Sequence, residues 1–449
     1  MGMNKAKKLL TVTIIFLFFG MVIFPSGGIQ IKNKPVTLTK GGNTLYVGGI
    51  GSGNYTKIQD AIDNASDGDT VFVYNGTYYI NGSSWYGLVI NKPINLIGED
   101  KYSTIIEGND KLIVIYLEMM YFVEYVSVSG FTIQNGSTGI YYDTGINNID
   151  NPTYLQNKEH YSSADFYNNI LINNDEGIVV GWESENVYVG NNIITMNKKG
   201  IVLFNCLMDN YVYHNTIENN ENGIWVEGGG YSNTIIENVI NSNKENGITL
   251  SYSYGGTITQ NTIINNTNGI NIYYSSGIYI DYNTLKNIYS GVYLYNSNNN
   301  RIQKNTITEN TEGIYIQNSE VDTINDNIIS NNNNGISFFN CSNNKIFDNN
   351  ITSNKNYGIH LQNSDCNNVS KNNFINNRLH AFFIKEYTIW EFIKNYQKDK
   401  NIWNKNYWYK SWNLPKFIFG ILSLIINSKY VHFLGMEFDR HPAKKPYDI

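Results

Sequence analysis

Charge is scarce in this chain. Only 16% of its 449 residues are Asp, Glu, Lys or Arg, and the formal net charge is −6. With an acidic balance and no basic patch, nucleic acid is excluded as a partner. Cysteine is scarcer still, with only Cys206, Cys341 and Cys366, too few for a disulfide framework. Beyond the amino-terminal leader no apolar run is long enough to span a membrane; PKFIFGILSLIINS, near the carboxy end, falls short. Amphipathic helical periodicity is also missing from most of the chain.

The leader is the exception. Lys5, Lys7 and Lys8 precede an apolar stretch from Leu9 to Phe24, followed by Pro25, Ser26 and Gly27. Residues 1–28 thus read as an export signal, either cleaved or kept as a membrane anchor through residues 9–24. Either outcome places the rest of the chain outside the cell or on its surface.

What is abundant is Asn, Gly, Tyr and Ile. KNTITENTEGIYIQNS, residues 304–319, mixes good strand sequence with Asn305, Asn310 and Asn318, although Asn favours turns. The mixture recurs. A Gly followed by Ile or Val stands at 177, 200, 223, 247, 269, 291, 313, 335 and 358, in steps of 22 to 24 residues. Eight or nine positions before each Gly is an Asn: Asn168, Asn191, Asn215, Asn238, Asn261, Asn283, Asn305, Asn327 and Asn349, with Asn372 opening a tenth unit. Each unit holds three short alternating pieces and no helix. Leucine-rich repeats would need a Leu pattern and a helical side, and a left-handed hexapeptide helix a period divisible by six. The pattern predicts an all-β fold: a right-handed parallel β-helix whose coils stack at ~4.8 Å. The Asn column is predicted to turn the chain and to bond its amides from coil to coil. Asp there would cost about 3.5 kcal/mol per neighbour at an effective dielectric of about 20.

Stacked coils need covered ends. In NYTKIQDAIDNASDGD, Thr56 and Gln59 fit a capping box, and Ile58, Ala61, Ile62 and Ala65 share a helical face, predicting an amino-terminal helical cap before a first strand at Thr70–Tyr74. The expected organisation is cap and first coils over 44–130, regular coils over 131–383 with an insertion near 141–165, and a carboxy-terminal cap over 384–449.

The IQDAIDNASDGDTVFVYNGTYY entry, the NxI…NGI coils and the NYW element at Asn406–Trp408 resemble NosD-like, PbH1-repeat β-helix proteins of the pectin lyase-like superfamily. The resemblance covers roughly residues 44–449 and is specific for fold. It implies copper maturation for some members. The six histidines, His160, His214, His360, His380, His432 and His441, are scattered without a Met/His/Cys grouping, so copper is not supported. Polysaccharide lyases, hydrolases and epimerases share the superfamily.

Three groups of residues are candidates for chemistry. Asp326 and Asp348 precede the repeat Asn on adjacent coils and are the weak catalytic pair, since carboxyls about 5 to 5.5 Å apart suit retaining glycosidases. Lys304 and Lys371 flank them in the same column, so a structural charge ladder or a cation site such as Ca2+ are the competing readings. The insertion carries Glu159, His160 and Asp165, where inserted solenoid loops can form binding sites or be tolerated padding. Finally, the second and fourth residues after each Gly point outward. They place Tyr273, Tyr293, Tyr295 and Tyr315 on three consecutive coils, with Trp225 further along and Phe204 and Phe339 at other levels. Flat amphipathic rings suit sugar faces, although Tyr is also an ordinary strand residue. The expectation is an exported, monomeric glycan-binding protein. The alternatives are a polysaccharide-modifying enzyme, or a structural, adhesive or NosD-type envelope protein. No cofactor is evident.

Overall fold

Self-similar sequence dictates self-similar coils, because each strand must pair with its counterpart one repeat away. The computed structural model describes residues 42–80, 85–110, 112–119, 125–144, 163–182, 184–206, 208–228, 232–395, 398, 400–409, 415–426 and 429–449. The leader, residues 1–28, together with Glu159 and His160, lies outside them. Over the rest the chain forms a right-handed parallel β-solenoid of about 13 turns.

One coil shows the plan. Thr262–Ile264, Asn268–Tyr273 and Tyr279–Asp281 are its strands. Each belongs to a different stack, here called the third sheet, the glycine sheet and the second sheet. The third sheet has 13 parallel strands, from Gly76–Tyr79 to Asn373–Ile375. The other two stacks merge into one 30-stranded sheet because the carboxy-terminal hairpin pairs with both. Inward residues align in columns: Ile248, Ile270, Val292, Ile314 and Ile336 are in register and fully buried. Each such side chain contributes about 1.5–3 kcal/mol of burial.

The glycine column has a steric cause. A Cβ at Gly291 would stand 2.6 Å from the Gly313 carbonyl oxygen, and one at Gly313 would stand 2.5 Å from that of Gly335. Successive coils approach too closely here for any side chain.

The asparagines form the columns expected of them, with a shift in register and in role. The ladder runs Asn169, Asn192, Asn215, Asn238, Asn261, Asn283, Asn305, Asn327, Asn349, Asn372 and Asn406. Asn168 and Asn191 are not members; they stand one residue earlier, at φ 57° and 56°. The left-handed turn is taken throughout by that preceding residue, for example Tyr282 at φ 54°, and the ladder Asn is spared it. The two tasks assigned to one Asn are therefore split between neighbours. Asn283 shows the ladder chemistry. Its Oδ1 accepts from the backbone N–H and Nδ2 of Asn261, both at 3.0 Å, while its own Nδ2 donates to the carbonyls of Ile258 and Asp281 and to Asn305 Oδ1. A second ladder, unread in the sequence, links Asn174 through Asn266 and Asn310 to Asn377 at the turn into the glycine sheet. The mixed stretch 304–319 is thereby explained: Asn305 and Asn310 belong to two ladders, and Asn318 is a left-handed turn residue.

At the amino end, Thr44–Val47 rather than Thr70–Val73 is the first strand, and the two pair in parallel. Helix Ile58–Asn64 buries Ile58, Ala61 and Ile62, but it has no capping box. Its N-cap is Lys57, which makes no side-chain capping bond. Gln59 is used elsewhere: its Oε1 accepts from Val89 N at 2.9 Å and its Nε2 donates to Val89 O at 3.1 Å. The glutamine amide thus completes the open edge of Tyr86–Ile90, the first strand of the glycine sheet.

At the other end the coil geometry continues past residue 383. Ile402–Asn404 pairs with Asn368–Ser370, and Asn401 and Asn406 extend two ladders after a detour through helix Ile389–Asn395. Strands Lys416–Ile426 and Lys429–Asp439 then form an antiparallel hairpin against Leu379–Thr388. Among the described residues no helix is long and apolar enough to cross a membrane.

Candidate functional site

Strand alternation decides which side chains the glycine sheet shows to solvent. In Ser290–Tyr295 and Glu312–Gln317 the fully buried hydrophobic residues are Val292, Leu294, Ile314 and Ile316, so the residues between them face outward. The register sets Tyr273 beside Tyr295 and Tyr293 beside Tyr315. Tyr293 and Tyr315 stack with centroids 5.3 Å apart and 14° between planes, while Tyr273 meets Tyr293 edge-on at 5.7 Å. All four rings are half-buried. The strip turns a corner the sequence did not reveal: Tyr274 meets Tyr295 edge-on at 5.6 Å and stacks on Tyr252 at 5.2 Å.

Two of the phenols are held as donors. Tyr293 and Tyr315 both reach Gln317 Oε1, at 3.3 and 3.5 Å. Burial, reinforced by the neighbouring phenols, pushes the Tyr293 hydroxyl up to about 12, so it keeps its proton at ordinary pH.

Trp225 stands apart. Thr249 and Asn271 separate it from Tyr293 in the column. Its Nε1 donates to Glu227 Oε2 at 3.2 Å, and Lys199 Nζ lies 5.3 Å from its ring. Phe204 and Phe339 also lie in register columns of this sheet, at other levels.

Directly beyond Tyr315 the face becomes polar, a feature sequence reasoning missed. Glu312 accepts from Asn334 Nδ2 and from Ser337 Oγ, each at 2.6 Å. Burial raises its carboxyl above the usual range while those two donors pull it down. Ser337 is followed in register by His360, which stacks on Tyr357 at 4.9 Å and whose Nε2 is buried without a partner. Glu312 stands directly before Gly313, in register with Asn334 of the next coil.

Asp326 and Asp348 do fall in one column with Lys304 and Lys371, all at left-handed φ. Charge acts down this column, Asp326 on Lys304 and both Lys371 and Asp326 on Asp348, while the direct bonds of two of these side chains go elsewhere. Lys304 Nζ bonds Tyr282 on the preceding coil at 2.9 Å, and Asp326 accepts from the adjacent Asn325 Nδ2. Burial raises the Asp348 carboxyl, against the pull of Lys371. Asp165 lies on strand Ala164–Tyr167, in the stack rather than in a loop.

Comparisons with known proteins come from three directions. The family described as periplasmic copper-binding protein (NosD) matches residues 241–411, and the right handed beta helix region matches residues 119–285. No curated protein matches the sequence. Among solved structures, the Dettilon tailspike protein aligns with TM-score 0.53 at 13% identity, covering 88% of this chain and 77% of that chain. The mannuronan C-5 epimerase A-module of Azotobacter vinelandii aligns at 0.39 and 17%, covering 72% and 90% respectively. A mannuronic acid specific polysaccharide family 6 lyase from human gut microbiota aligns at 0.48 and 11%, covering 76% and 86%. The tailspike likeness speaks for the fold alone.

The described residues do not assemble a copper donor set. His214 pairs with Glu237, His360 with an aromatic stack, His380 with Asn377 and His432 with Ser423, and no three His, Cys, Asp or Glu side chains converge among the described residues. Both family matches fall on one continuous stack of parallel coils, so the chain is a right-handed parallel β-helix protein whose coils are similar to those of the NosD family.

Proposed function

We propose that the protein is an exported glycan-binding protein that holds a polysaccharide against the outer face of the glycine sheet. The observation that carries this reading is the tyrosine strip itself. Tyr273, Tyr293, Tyr295 and Tyr315 lie in ring contact on three consecutive strands, extended by Tyr274 and Tyr252. Rigid strands spaced ~4.8 Å apart present apolar ring faces to sugar rings, and the phenol oxygens of Tyr293 and Tyr315, whose protons are turned to Gln317, can accept from sugar hydroxyls. Export fits the lysine-led apolar leader at residues 1–28.

The test is the double variant Tyr293→Ser/Tyr315→Ser in affinity electrophoresis across a polysaccharide panel. Retention by the parent should be lost while the melting temperature barely moves. A double variant retained like the parent on every glycan would remove the strip from consideration. Cell fractionation checks location: the mature chain should be found outside the cytoplasmic membrane.

A second reading, modification of the bound glycan, is favoured by Glu312. Its carboxyl adjoins the strip and is raised by burial, the environment of a carboxyl that can give or take a proton. Product analysis with acidic and neutral polysaccharides would decide it, with Glu312→Gln as the inactive control.

A further inference from the structure

The second sheet carries a separate, unassigned carboxylate. Its outward columns run Ser127, Asp165, Tyr188, Tyr211 and Ser129, Tyr167, Gly190, Tyr213, side by side on four coils. Asp165 accepts from the Tyr125 hydroxyl at 2.8 Å. Tyr188 and Tyr211, next in its column, stack with centroids 5.2 Å apart and 3° between planes. In the adjacent column the phenol end of Tyr213 lies over Gly190: a Cβ there would stand 2.2 Å from Tyr213 Cζ. Glycine at 190 therefore lets the Tyr213 ring fold back towards the coil that holds Asp165 and Tyr167. The Asp165 charge acts on Tyr125, Tyr188 and Tyr213 alike, which places it among all three.

Two properties of this cradle point to the ligand. First, among the described residues Asp165 has one neutral donor and no cationic partner, although it is largely withdrawn from water and burial raises its carboxyl. A carboxylate so placed gains most from a cation that brings its own apolar surface. Second, the surrounding groups are tyrosine rings, whose faces attract cations. A neutral sugar would use the rings and leave the charge unanswered. A phosphate or uronate would be repelled.

We propose that Asp165, with Tyr125, Tyr167, Tyr188 and Tyr213, forms a second saccharide site, selective for sugars bearing a free protonated amine. It is independent of the tyrosine strip on the glycine sheet, and either site can fail without the other. The probes are a glucosamine hexamer and its N-acetylated counterpart, which differ in charge at the amine. Isothermal titration of the full chain at pH 6 should show the amine form bound more tightly than the acetylated form. Asp165→Asn should weaken the amine form about tenfold and leave the acetylated form unchanged, since an isosteric amide removes only the charge-assisted contact. Tyr213→Ala should weaken both forms while sparing retention through the glycine-sheet strip. Equal binding of the two hexamers by the parent, or an Asp165→Asn variant that binds the amine form as the parent does, overturns the proposal. Loss of all binding in Asp165→Asn with a lowered melting temperature would assign the residue a purely structural role and overturn it equally.

Discussion

An Asn ladder works because each amide offers one acceptor and one donor to coils on either side, and Asp322 tests what happens when the donor is missing. Asp322 stands in a column with Asn300, Asn344, Asn367 and Asn401, fully buried. Its Oδ1 accepts from Asn300 N and Nδ2 at 2.7 and 3.2 Å, as an Asn would, but its Oδ2 has no partner. Oδ2 occupies the place from which Asn344 Nδ2 donates to Asn367 Oδ1 and the Ser319 carbonyl. An oxygen in that place meets acceptors, so it needs a proton to bond them. Burial accordingly raises the carboxyl to about 7. Cys341, on which the Asp322 charge acts, is itself pushed up to about 12 by burial and stays neutral. Because the folded value lies above the unfolded one, the stabilisation is complete at low pH and fades as pH climbs from about 4 through 7. Asp322→Asn should remove this fall and stabilise the protein at pH 8 by roughly 2–4 kcal/mol, read from urea midpoints at pH 5 and pH 8. A parallel pH profile in both proteins would refute the neutral-acid role. The same logic ranks two variants at Asn283: at pH 8 Asn283→Asp should destabilise more than Asn283→Ser, because a buried charge costs more than an unmatched hydroxyl. Their order should narrow at pH 5, and equal midpoints at both pH values would show that the ladder amide is not read as argued.

Strands and turns were legible to the extent that stacking repeats them. A residue that must serve every coil recurs every 22 to 24 positions, so the glycine column and the alternating isoleucines stand out. Their position in the fold follows from geometry alone: Gly291→Ala would press its methyl against Gly313 O at 2.6 Å and Ile307 Cγ2 at 2.7 Å. We expect it to cost about 1–3 kcal/mol, whereas Gly53→Ala, with nothing within 4 Å, should be nearly silent. Thermal melts of the pair check this, and equal melting temperatures would mean the coils can part. What repetition does not supply was harder to read. Asn168-Asn169 and Asn191-Asn192 are doublets, and nothing local says which amide enters the ladder. Gln59 fits a capping box in sequence, yet the unpaired edge at Val89, thirty residues on, takes its amide instead. The tyrosine strip was visible because outward positions follow from period two. Glu312 was not, since its character depends on Asn334 and Ser337 being supplied by the next coil.

A stack of coils is only as stable as its ends, and two ladders here stop on carboxylates. Asn401 donates through its backbone N–H and Nδ2 to Glu437, and Asn406 through the same two groups to Asp439 Oδ2, both acids from the last hairpin strand. The terminal asparagines lack a further coil to accept their hydrogens, and these oxygens replace it. Trp403 and Trp408 lend their indole N–H groups to the same two acids, at 2.6 and 3.1 Å. The charge at Glu437 is answered by Lys385, 3% exposed, whose Nζ lies 3.1 Å from Glu437 Oε1 and 2.6 Å from Asp365 Oδ1. Burial lowers the Lys385 amine, but the two carboxylates outweigh it and raise it overall. Glu437→Gln leaves Lys385 with Asp365 but removes its second carboxylate, so it should cost about 1.5–3 kcal/mol even though its amide oxygen can still accept from Asn401. Lys385→Met, which takes the ammonium from Glu437 and Asp365 together, should cost more, about 3–5 kcal/mol. The double variant removes both members of the buried pair and keeps only Asp365 of the triad, whose side chain is 28% exposed, so it should recover much of the loss, because neighbouring sites of this kind are strongly non-additive. In a solenoid each coil leans on its neighbours, so the damage should start at this end. Hydrogen exchange in Glu437→Gln should rise first over residues 401–408, while the coils around Asn215 keep their protection. Additive losses in the double variant, or exchange that rises evenly along the stack, would show that the hairpin acids do not close the ladders.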